Sequence, residues 1–204
     1  MPVQETGFSA TTLNRIGRAD PLRWPEWRYV GNSRFDDPRG RFRVLYAGER
    51  RACFIESLAG FRPGLNDPGR SGAIPAEWFS TRRIARFVLG DPSWRALDLR
   101  APETLQTLRQ HLRPLLIARG YQDLDTSHTL GQDQTLTQAI TAWALDHGHR
   151  GIVYGSRLAV GLTCVAVFEG ARFSDVLVSP IDVAEPDLRW AAGILGLTIP
   201  ARVP

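Results

Sequence analysis

The most apolar run in this chain, CVAVF at 164–168, is the length of a buried strand and far too short to cross a bilayer. Other candidate strands are equally short: RFRVLY (41–46), ARFVLG (85–90), WRALDL (94–99), GIVYG (151–155) and FSDVLV (173–178). Helical patterns separate them. One runs from Glu49 to Ala59 and stops at Gly60; another covers TLTQAITAWALDHG (135–148). A third runs from Pro102, a good first-turn residue, to Gly120, and Pro114 is expected to kink or split it. Strands and helices alternate without strict β-α-β spacing, which predicts a mixed α+β domain around a central sheet. At 204 residues the chain has room for one such core.

Two stretches resist this pattern. RADPLRWPEWRYVGN (18–32) reads as an irregular lead-in to the first clear strand. GFRPGLNDPGRSGAIP (60–75) is rich in glycine and proline, without periodicity, and reads as a long loop that acts as a lid. No segment has the build of a secretory signal, and the expectation is a soluble, cytoplasmic protein.

The basic residues are all arginine, 25 of them, with no lysine. Codon usage explains that bias. Its chemical consequence is that any anion held here is held by a planar, permanently charged fork. The arginines are scattered among acids rather than gathered on one face, so charge alone does not call for nucleic acid. Cys53 and Cys164 sit in apolar surroundings and are expected to be buried thiols. His147 and His149, two residues apart after a helical segment, suit a helix end better than a metal, and no metal is expected.

The densest chemistry lies in SRFDDPRGRFRVLYAGERRACFIESL (33–58). In its helix Ala52, Phe54, Ile55, Leu58 and Ala59 make the apolar side, with Glu56 at its edge. A carboxylate beside small apolar residues needs a partner. It either pairs with a nearby arginine or serves as a partly desolvated group for acid–base or cation-stabilising chemistry. If DDPRG closes a hairpin, Arg34 stands opposite Phe42, on the face shared by Val44 and Tyr46, at about 13 Å from Tyr46. Ser156, in YGSRL, lacks the flanking glycines of a nucleophile elbow, which argues against a serine hydrolase.

This stretch, together with HGHRGIVYGSRLAVGLTCVAVFE (147–169), resembles the RES domain family. The matching elements are Arg34–Phe35, Val44–Leu45–Tyr46–Ala47, Glu56, and Gly151 to Arg157, within a likeness spanning roughly residues 14–170. The resemblance implies a split mixed sheet flanked by helices, similar to ADP-ribosyltransferase toxins. It also implies NAD as substrate, a toxin role in a bacterial toxin–antitoxin pair, and an Xre-type helix-turn-helix antitoxin as partner. Carried over by position, the site residues are Glu56 and Arg34 as catalytic groups, with Arg34, Tyr46 and Ser156 binding NAD. FDDPRG after Arg34 departs from the family's commoner Asn- and Gly-containing loop. The acceptor of the ADP-ribose, whether water, phosphate or a protein side chain, stays open, as does self-association. The competing reading is a non-enzymatic nucleic-acid-binding module.

Overall fold

A computed structural model describes the backbone of residues 5–7 and, in full, residues 12–64, 72–91 and 93–201. Among these residues eight strands form one mixed sheet: β1 (Glu5–Gly7), β2 (Thr12–Gly17), β3 (Val44–Gly48), β4 (Arg83–Leu89), β5 (Arg95–Asp98), β6 (Gly151–Gly155), β7 (Thr163–Phe168) and β8 (Phe173–Pro180). Their spatial order is β1-β5-β6-β7-β3-β2-β4-β8. Among these eight strands only β5 and β6 run parallel; their other pairings are antiparallel.

The ladder between β2 and β3 is the shortest in the sheet. These neighbours share a single residue pair, Asn14 with Gly48. Their outer partnerships are full: β2 pairs with β4 from Thr12 to Gly17, and β3 with β7 from Val44 to Gly48. The sheet therefore parts into two halves joined at one point, the split arrangement expected from the sequence. Gly48 is required at that junction. A Cβ there would lie 2.6 Å from the Thr163 carbonyl oxygen, closer than any side chain permits.

The helices pack on one face of the sheet in two groups. α1 (Arg50–Leu58), α2 (Ala76–Thr81) and α7 (Pro186–Leu195) share a core with Ile84 of β4, into which Phe54, Ile55 and Leu58 are fully buried. Each such burial stabilises by about 1.5–3 kcal/mol. α3 (Pro102–His111), α4 (Arg113–Ala118), α5 (Thr126–Leu130) and α6 (Gln134–Asp146) sit over the other half, where Leu108, Ile140, Ile152 and Phe168 meet. The opposite sheet face, carrying Leu45, Phe87, Val153 and Val165, is covered in part by Leu22 and Trp24 of the irregular lead-in.

Local signals explain most helix boundaries. Pro102 begins α3, and the chain breaks at Leu112 with Pro114 in the first turn of α4, as the two prolines lead one to expect. Asp133 caps α6 through the backbone N–H groups of Thr135 and Leu136. Asp125 and His128 form a reciprocal box on α5, a short helix that no periodicity announces. α6 ends at His147, whose Nδ1 lies 2.8 Å from the Trp143 carbonyl, and Gly148 follows with φ +84°.

One expectation changes. Residues 34–41 form no hairpin: Asp36 N–H bonds the Ser33 carbonyl, Gly40 N–H bonds that of Asp37, and β3 starts only at Val44. The reason is the aspartates. Asp36 accepts from the backbone of Gly31 and Ser33, while Asp37 accepts from the Arg41 backbone and guanidinium, so side chains fold this segment into successive turns. Leu45, on the opposite side of β3 from Tyr46, faces a buried layer that the lead-in covers in part. Much of the proposed lid, 65–71, lies outside the described residues; Ala59–Phe61 is a 3-10 turn and Ala73 bridges Thr198. Cys53 and Cys164 are both free thiols, Cys164 buried and Cys53 half-buried.

Candidate active site

Where the two sheet halves part, a cleft of about 430 Å³ opens beside α1, within the usual size range of small-molecule sites. Arg34, Tyr46 and Glu56, three of the four site residues singled out from sequence, line it. The fourth, Ser156, follows β6 and reaches the cleft through Glu56: its Oγ donates to Glu56 Oε1 at 2.7 Å. Ser156 Oγ also accepts from Leu158 N–H at 3.1 Å, and Ser156 N–H bonds the Leu162 carbonyl, so the hydroxyl is fixed from both sides.

Glu56 is exposed, which corrects the expected partial desolvation. The apolar stripe of α1 turns Ala52, Phe54, Ile55 and Leu58 inward, leaving position 56 on the rim that faces the cleft. It is not a helix-boundary ion pair either. The neighbouring arginines of α1 turn away from it, Arg50 to Glu185 and Arg51 to Asp187, and among the described residues no cation pairs with Glu56. One carboxylate oxygen, Oε1, is oriented by Ser156.

Arg34 is held without being neutralised. Its Nη2 donates to the Thr129 carbonyl of α5, and its guanidinium carbon lies 5.1 Å from the Phe35 ring and 5.4 Å from the Tyr154 ring. Its Nε is buried and has no partner among the described residues. The turn carrying Arg34 is anchored in turn by α6, where Gln138 donates to the Gly31 and Ser33 carbonyls and Gln134 to that of Asn32. Arg34 and Tyr46 are much closer than a hairpin would place them: Phe35 N–H donates to the Tyr46 hydroxyl at 3.0 Å. Burial, and then the nearby Asp36, push the Tyr46 phenol well above its ordinary value, so it stays neutral and serves as surface and acceptor.

Arg15 is the residue that sequence reasoning passed over. It lines the cleft from β2 and spans the split, donating Nη1 to the Tyr46 carbonyl of β3 and Nε to the Pro21 carbonyl at 2.7 Å. A guanidinium thus replaces part of the missing backbone ladder. Nothing in NRIG marks this, because the need for Arg15 arises only where two strands diverge. Cys53 and Tyr154 also line the cleft unannounced. The Cys53 thiol donates to the Asn14 carbonyl, and burial pushes it up to about 12, so it is no nucleophile at neutral pH.

The assembled groups are a free carboxylate oriented by a serine, two arginines bound only to carbonyl oxygens, and a neutral tyrosine. The cleft lining contains no histidine to activate Ser156 as a nucleophile. Chemically this suits an anionic ligand whose reacting carbon gains positive charge opposite Glu56.

Comparison with known proteins adds the family and the fold. A family model described as "RES domain" matches residues 12–191. Among solved structures, a chain of the M. tuberculosis MbcT–MbcA toxin–antitoxin complex superposes with a TM-score of 0.55 at 16% identity, over 91% of this chain and 88% of that one. At that identity the likeness shows a shared fold. No curated protein matches in sequence.

Proposed function

The chain belongs to the RES domain family, and on that premise we propose that it is a toxin of a toxin–antitoxin pair that consumes NAD by cleaving the nicotinamide–ribose bond. The observation that carries this reading is the Ser156–Glu56 pair at 2.7 Å, opening on a cleft that Arg34 and Tyr46 also line.

Breaking that bond expels neutral nicotinamide and leaves an oxocarbenium-like centre on the ribose, as in glycoside hydrolysis. Glu56 stabilises the developing cation by its charge and orients a ribose hydroxyl or the attacking water. Ser156, by donating to Oε1, leaves the other carboxylate oxygen for that task. Arg34 offers the guanidinium N–H groups left over from its bond to Thr129 to the diphosphate, and Tyr46 is the flat surface for nicotinamide or its ribose. Attack by water gives ADP-ribose, nicotinamide and a proton. Attack by phosphate gives the 1″-phosphate of ADP-ribose instead, and attack by a protein side chain gives a modified protein.

The partner in this reading is an antitoxin, of the Xre helix-turn-helix type that accompanies such toxins, and the site of action is the cytoplasm, where NAD is plentiful. Among the described residues no helix is long and apolar enough to cross a membrane. The test is direct: purified protein is incubated with NAD labelled in the adenosine half, with and without phosphate, and released nicotinamide is followed. The expected result is nicotinamide release with the label in a small product. Label on protein identifies the transferase version, and no release from any substrate overturns the assignment.

A further inference from the structure

Beyond Arg15 the cleft continues into a second hollow of about 550 Å³. Arg15 and Ile16 line both. The lead-in loop from Gly17 to Tyr29 and Arg82, just before β4, shape the rest. Its charge is unbalanced. Five arginines line it against two carboxylates, and both carboxylates are already engaged: Glu26 pairs with Arg28 at 3.0 Å, and Asp20 accepts from the Leu22 N–H within its own turn. The guanidiniums of Arg18, Arg23 and Arg82 have no partner among the described residues.

Two of the cations also face each other. Arg15 is held below its ordinary value first by burial, and Arg82 is near enough to lower it further by repulsion. Like charges in a concavity favour a bound anion. The walls supply flat surface as well, from half-buried Trp24 and exposed Tyr29.

Its position follows from the strand order. Ser156 and Glu56 mark one end of the trough, beside β6; Arg15 on β2 stands mid-way, and Arg82 lies at β4. Four inter-strand steps separate β6 from β4, roughly 19 Å. We propose that this second hollow is the subsite for the adenosine-phosphate half of the dinucleotide, and that its uncommitted arginines also accept a phosphate on the adenosine ribose, so that the chain takes NADP-class dinucleotides as well as NAD. The proposal rests on the reaction assigned above for the identity of its ligand. Its cations stand independently of that reaction.

Calorimetric titration of the full-length chain with AMP, with adenosine 2′,5′-bisphosphate and with nicotinamide mononucleotide tests it. The bisphosphate should bind about tenfold tighter than AMP, and Arg82→Gln and Arg18→Gln should each weaken it about tenfold. Nicotinamide mononucleotide, which lacks the adenosine half, should bind both variants as it binds the parent. Equal affinity for AMP and the bisphosphate, or variants that retain parental affinity, overturn the subsite. The readout needs no turnover. If the protein releases no nicotinamide yet loses bisphosphate affinity in Arg82→Gln, the subsite stands and the assigned reaction falls. Normal release with unchanged affinity in the variants gives the reverse.

Discussion

Arginines at the cleft and the ion-paired arginines of the outer faces are held in opposite ways. On the outside Arg41 is gripped by Asp37 and Asp146, Arg50 by Glu185, Arg51 by Asp187, Arg100 by Asp98 and Arg119 by Asp133. In the cleft Arg34 donates to the Thr129 carbonyl, and Arg15 to those of Tyr46 and Pro21. A carboxylate fixes a guanidinium and cancels its charge; a carbonyl fixes it and leaves the charge in place. The same division separates the acids of α1's surroundings, since Glu185 and Asp187 are neutralised while Glu56 receives only a hydroxyl. Partner type sets the cleft groups apart from these ion-paired ones, although carbonyls also hold Arg83 and Arg189 outside the cleft.

The comparison can be broken most sharply at Glu56. Glu56→Gln keeps the shape and the Ser156 contact and removes the charge, so nicotinamide release should fall at least about a hundredfold, near 3 kcal/mol of transition-state stabilisation. Its melting temperature should stay at the parental value; normal turnover would end the assignment. Arg34→Gln comes next. It should lower kcat/KM about ten- to a hundredfold, and Arg34→Lys should not restore it, because a point charge cannot bond Thr129 and a phosphate through one rigid fork.

On the structural side the effects should appear in stability instead. Burial raises the Asp37 carboxyl, but the Arg41 hydrogen bonds outweigh it and hold the group below its ordinary 3.8. Its contribution is therefore present above that value and lost as pH falls through the lower folded one. Asp37→Asn should cost about 1–2 kcal/mol at neutral pH and flatten the acid limb of a denaturation-versus-pH curve. The smallest effect belongs to Arg51→Ala, which removes an exposed ion pair and should cost under about 1 kcal/mol in urea unfolding, shrinking with salt.

Much of the fold was readable because its causes are local. Strand-length apolar runs became β4 to β8, Pro102 and Pro114 set α3 and α4, and the apolar stripe of α1 follows its 3.6-residue period. The misreadings share a different cause. DDPRG carries good turn residues, and the hairpin reading overlooked that Asp36 and Asp37 spend their side chains on the backbone and on Arg41. Short α2 and α5 hold too few residues to show a period, while α7 carries signals in Pro186 and in Leu188, Ala191, Ala192 and Leu195 that the sequence reading passed over.

Which residues carry charge, which segments bury an apolar face, and where Arg34, Tyr46, Glu56 and Ser156 stand along the chain are properties of the sequence, since they depend on neighbours a few positions away. That β2 and β3 meet at one pair, that Arg15 bridges the gap, and that Glu56 meets Ser156 a hundred residues on are decided by the tertiary fold. Those contacts come from long-range packing of helices over two sheet halves, and packing leaves no period in the chain to read.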